Sequence, residues 1–93
     1  MLFVTLLKVR SGTVQERTMH RAGWQYPPGV RLIGEYWLQS GDVAVVVIFE
    51  ADSIEPIFAT FSEWSDEFDM SFIPAITGED GLKWAAQKVG AQK

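Results

Sequence analysis

The sequence contains no cysteine, which excludes disulfides, thiolate metal sites and a cysteine nucleophile. A reducing cytoplasm is the simplest compartment for such a chain. It contains a single histidine, His20, so no histidine cluster for zinc or iron can form, and a glycine-rich phosphate loop and a G-x-S-x-G elbow are also missing. Neither a cofactor nor a metal is expected. Basic residues are scarce as well: 8 Lys and Arg stand against 12 Asp and Glu, a net charge of −4, which argues against a surface that neutralises nucleic-acid phosphates. No run approaches the roughly eighteen apolar residues of a membrane helix. The apolar opening from Met1 to Leu7 has no basic residues before it and no small-residue cleavage site after it, so it reads as a strand.

What is present is enough to fold. Apolar residues make up 47% of the 93 and charged residues 22%, close to globular averages, and a chain of this length holds one hydrophobic core. A single domain over residues 1–93 is expected. Aromatic residues reach 13%, which supplies large side chains for a core, an interface or an apolar pocket.

Leu2 to Val9 is apolar and β-branched and reads as a first strand. A weakly amphipathic helix follows from about Thr13 to Ala22, with Gly23 placed to end it. Trp24-Gln25-Tyr26-Pro27-Pro28-Gly29 is a stiff aromatic loop, because two prolines lock φ and lack amide donors. Val30 to Gln39 and Val43 to Phe49 form a hairpin across Ser40-Gly41-Asp42. Asp52 or Ser53 is placed to cap a second helix, in which Ile54, Ile57, Phe58, Phe61, Trp64 and Phe68 make one broad apolar face expected to be core. Met70 to Thr77 reads as a fourth strand, and Glu79-Asp80 opens a final helix carrying Leu82, Trp84, Ala85 and Val89. The order β-α-β-β-α-β-α predicts an α+β domain: a ferredoxin-like βαββαβ unit with an antiparallel four-stranded sheet and an extra C-terminal helix.

In such a unit the helices cover one face of the sheet, and strands whose other face meets water alternate apolar and polar. Here both faces are apolar. Val43 to Phe49 is apolar throughout, Leu2, Val4 and Leu6 oppose Phe3, Leu7 and Val9, and Met70, Phe72 and Ile76 oppose Ile73 and Ala75. A second copy packed on the open face, forming a homodimer, is the favoured cover. The alternative is that the final helix folds over the face of its own chain.

With this pattern, the chain resembles the dimeric α/β-barrel superfamily, in which two ferredoxin-like subunits pack sheet to sheet. Pro27-Pro28-Gly29-Val30, Glu50-Ala51-Asp52, Glu63-Trp64-Ser65-Asp66 and Pro74 are similar to a family of short proteins of unknown function placed there, related to antibiotic-biosynthesis monooxygenase-like domains. The likeness covers nearly the whole chain and implies a fold more strongly than an activity. The superfamily also includes small haem-degrading enzymes. Those and the monooxygenases commonly use an asparagine, and this chain has none.

Several residues are candidates for a ligand site. His20 can carry a proton, or simply complement the end of its helix dipole. Trp24 and Tyr26 can form the mouth of a pocket or roof the core. Tyr36 and Trp37, adjacent on one strand, must point to opposite faces, and one of them looks toward the helices. Arg31 on the same strand suits a ligand carboxylate, an acidic helix end or plain solvent. Trp64 and Asp66 lie late on the second helix, where Asp66, Glu67 and Asp69 burden the negative end of the dipole and call for a cation such as Lys83, Lys88 or a partner's arginine, or else form a solvated acidic face.

Two functions are compatible with these residues. The first is a small dimeric module that binds a small apolar or aromatic molecule, or a protein partner, without chemistry. The second, implied by the resemblance, is a cofactor-independent monooxygenase-like enzyme acting on an aromatic substrate, with Trp24, Tyr26, Trp37 and Trp64 lining its cavity. No nucleophile, base and oxyanion arrangement is legible, which favours the first.

Overall fold

The computed structural model describes residues 1–91. Its elements run β1 (Leu2–Val9), α1 (Val14–Ala22), β2 (Val30–Trp37), β3 (Val43–Ala51), α2 (Glu55–Trp64), β4 (Phe68–Ala75) and α3 (Gly78–Ala91). The strands form one antiparallel sheet in the order β2-β3-β1-β4. This is the ferredoxin-like arrangement with an added C-terminal helix.

Local chemistry accounts for the boundaries. Thr13 caps α1 with its hydroxyl on the Glu16 amide, while the Glu16 carboxylate returns to the Thr13 amide, a reciprocal capping box. Neither Asp52 nor Ser53 caps α2: its N-cap is Ile54, which has no side-chain bond to offer, and Pro56 sits in the first turn where a missing amide costs nothing. β4 begins two residues earlier than the apolar pattern suggests, because Phe68 already pairs with Val9.

The core forms between the sheet and α1 and α2, from Leu7, Val47, Phe49, Ala51, Ile57, Trp64 and Phe68. The apolar stripe of α2 is not all core. Ile57 and Trp64 are buried, but Ile54, Phe58 and Phe61 are exposed by 54%, 64% and 42%. A ten-residue helix on a sheet turns only part of its circumference inward, and this one is apolar over more than that part.

Register decides which side chains share the cavity side of the sheet. Thr5 pairs with Val47 and Phe72, and Leu7 with Val45 and Met70, so these residues face the helices. Leu2, Val4, Leu6, Val46, Ile48 and Ile73 face away. In β2 the ladder slips between Leu32 and Gly34. This extra residue inverts the alternation, because side chains on a strand have a period of two. Glu35 and Trp37 therefore face the helices, while Tyr36 lies on the outer face.

The final helix does not fold over that outer face. On α3, Leu82, Trp84 and Val89 are exposed by 74%, 59% and 56%, and the chain extends 57 Å in its longest dimension. Its radius of gyration, 16.2 Å, exceeds the ~12 Å of a compact chain of this length.

Candidate functional site

A cavity of about 190 Å³ lies between the sheet and the helices α1 and α2. Leu7, Val45, Val47, Phe49, Phe68 and Met70 make much of its wall, with Val14, Thr18 and Arg17 on α1 and Thr60 and Trp64 on α2. Three of the aromatic candidates beside Trp64 also line it: Trp24, Tyr26 and Trp37. Trp24 is set edge-on against both Tyr26 and Trp64, with ring centres 4.7 and 5.5 Å apart. The loop that two prolines stiffen thus becomes one continuous aromatic wall with α2.

One carboxylate reaches this cavity, Glu35, and it organises the wall. Arg21 donates from Nε to both carboxylate oxygens at 3.1 Å and from Nη2 to Oε1 at 2.9 Å. Tyr26 donates its phenolic hydrogen to Oε1 at 2.6 Å, and Trp37 Nε1 donates to Oε2 at 2.7 Å. Arg21 also donates Nη1 to the Trp24 carbonyl and lies over the Trp24 and Tyr26 rings. Burial alone would raise the Glu35 carboxyl, but the bonds from Arg21, Tyr26 and Trp37 outweigh it and hold the group below its ordinary value. Burial first, and then the bond to Glu35, push the Tyr26 hydroxyl well above the normal phenol range. At neutral pH the cluster is a closed ion pair with a neutral phenol, every acceptor taken.

At the cavity floor stands Thr5, only 2% exposed. Its hydroxyl has no hydrogen-bond partner among the described residues. A buried hydroxyl left unpaired costs free energy, so such an atom calls for an explanation.

The remaining candidates separate. His20 does not line the cavity but stacks on the outside of Trp64, ring centres 3.8 Å apart. Nδ1 lies 2.6 Å from Glu67 Oε2 and Nε2 2.7 Å from Glu63 Oε1, an arrangement that favours the imidazolium, the form in which both ring nitrogens donate. The bond to Glu63, joined by Glu67, raises its pKa despite partial burial. The cation expected near the end of α2 is thus His20 from α1. Arg10 lies near Asp69 at 3.9 Å, and Lys83 pairs instead with Glu79 on its own helix. Asp66 lies in the turn after α2, which ends at Trp64. Its side chain is exposed, and its carbonyl accepts from Ser11 Oγ. Tyr36, 56% exposed, lies on the far side of the sheet. Arg31 pairs with Glu50 and Asp52. No group of three or more potential metal ligands forms among the described residues.

Sequence reasoning missed Thr5, Arg17, Arg21 and Glu35. A threonine in an apolar strand is an ordinary strand residue, and Glu35 enters the cavity only because of the slip at Ile33. The one signal available was the i, i+4 spacing of Arg17 and Arg21, which places both on one side of α1.

A family model described as "Domain of unknown function (DUF3303)" matches residues 1–89. No curated protein and no solved structure gives a significant match.

Proposed function

The chain belongs to the DUF3303 family, whose description assigns no activity, and we propose on physical grounds that it is a homodimeric module that binds a small apolar or aromatic molecule in the cavity under α1 and α2. The observation that carries this reading is the cavity itself: about 190 Å³ of mostly apolar, aromatic-walled space. A cavity of about 150 Å³ lined by apolar side chains is enough to take benzene, so the space suits a single substituted ring or a chain of similar bulk.

Dimerisation rests on the outer face of the sheet. Leu2, Val4, Leu6, Val46 and Ile48 remain only half-buried there, and the apolar residues of α3 are exposed on an arm that leaves its own sheet uncovered. Two apolar surfaces that one chain cannot bring together can meet across a twofold axis, since an isologous interface presents each patch to the other copy.

The alternative is oxygen chemistry without a cofactor in the same cavity, as in the monooxygenase-like relatives that the resemblance implies. It is the weaker reading because Glu35, the only carboxylate in the lining among the described residues, is committed to four donor groups on three residues and so is poorly placed to act as a base. Native mass spectrometry of the purified protein tests the proposal: a dimer mass with a small organic adduct is the expected result. A bare monomer overturns it, and oxygen uptake on adding the released compound replaces binding with turnover.

A further inference from the structure

The chain has four arginines, and three of them face carboxylates: Arg10 with Asp69, Arg21 with Glu35, Arg31 with Glu50 and Asp52. Arg17 has no carboxylate within ion-pair distance among the described residues. It is also the one cation in the cavity lining that Glu35 does not neutralise. Its position is fixed: Nη1 donates to the Ser11 carbonyl at 3.0 Å and to the Gly12 carbonyl at 2.6 Å, and the guanidinium lies 5.8 Å from the centre of the buried Phe68 ring. These contacts use one corner of the group. Nε and Nη2, the edge that forks onto a carboxylate, have no partner among the described residues.

The protein carries −4 overall, so an unpaired, half-buried arginine at an apolar cavity is not part of a general basic surface. A cationic ligand would be repelled there, and a neutral one would leave the fork unused. An anion presenting two coplanar oxygens would satisfy it with charge-assisted bonds.

We propose that the ligand is a small hydrophobic carboxylic acid, bound as its anion, with its apolar body in the cavity against the aromatic wall and its carboxylate on the Nε–Nη2 edge of Arg17. This rests on the cavity being a ligand site and adds the chemical class of its occupant. Arg21, by contrast, is a positioning residue: its fork is spent on Glu35, and it sets the aromatic wall.

The test compares acids with their uncharged amides. Phenylacetate, 3-phenylpropionate and octanoate are each titrated against the corresponding amide, following tryptophan fluorescence and amide chemical shifts. The acid is expected to bind about tenfold more tightly than its amide in the wild-type protein, as one bidentate charge-assisted contact warrants. That ratio should approach one in Arg17→Gln, keep an intermediate value in Arg17→Lys and shrink as salt is added to the wild type. Equal binding of acid and amide to the wild type overturns this inference while leaving the cavity as a ligand site. Failure of every acid and amide to bind overturns both. Should Arg17→Gln not fold, the wild-type ratio and its salt dependence still decide.

Discussion

At the scale of single residues, the cavity is defined by how its few polar groups are satisfied. Glu35 is saturated by Arg21, Tyr26 and Trp37, so it acts as a brace for the aromatic wall. Thr5 is the opposite case, a hydroxyl buried with no partner. Removing an unpaired buried polar atom while keeping its shape relieves a desolvation cost. Thr5→Val is therefore expected to stabilise the ligand-free protein by about 1 kcal/mol, as measured by urea unfolding. A loss of stability would mean that the hydroxyl is bonded after all, to a bound water.

At the scale of elements, the contact of α1 with the end of α2 is expected to strengthen with protonation of His20. His20, near the end of α1, bridges Glu63 at the end of α2 and Glu67 in the turn beyond it. This joins the last turn of one helix to an acidic helix end that would otherwise be unfavourable. Its pKa is raised above 6.5 in the folded state, chiefly by the bond to Glu63. A group whose folded value is raised stabilises fully below the unfolded value and loses that contribution as pH rises through the folded one. The wild type should accordingly exceed His20→Leu in stability most clearly below pH 6.5, by up to about 1 kcal/mol for a pair at this exposure. The margin should fade above it. A margin that stays flat between about pH 5.5 and 9, where histidine titrates, would show that the contact owes nothing to charge.

At the scale of the whole molecule, what demands explanation is the surface left over. A chain with a 16.2 Å radius of gyration exposes both the outer face of its sheet and the apolar side of α3, and the proposed second copy would cover both. Ile48 sits on that outer face, next to Val4 across the β1–β3 ladder, and far from the cavity side. Ile48→Glu is expected to convert a dimer to a monomer in multi-angle light scattering while the far-ultraviolet circular dichroism of the chain persists, because a buried unpaired carboxylate is far costlier than an exposed one. A variant that remains dimeric would place the interface elsewhere.

The amino-acid sequence by itself determined the elements, their order and the unusual property of strands apolar on both faces, since these follow from hydrophobic periodicity and from local capping and turn chemistry. It also offered Trp24 and Tyr26, rigid rings beside locked prolines, as either a cavity rim or a core roof, and left open whether Tyr36 or Trp37 faces the helices. Only the tertiary structure decided which polar side chains join them. The one-residue slip in β2 turned Glu35 inward and Tyr36 outward, and the closeness of the end of α2 to α1 gave His20 two carboxylates that lie more than forty residues away in the chain. Likewise, the departure of α3 from its own sheet depends on where Ile76 and Thr77 direct the chain. Periodicity reports which face a residue shares with its neighbours; it carries no information about a register shift or about which distant charge will be brought within hydrogen-bond reach.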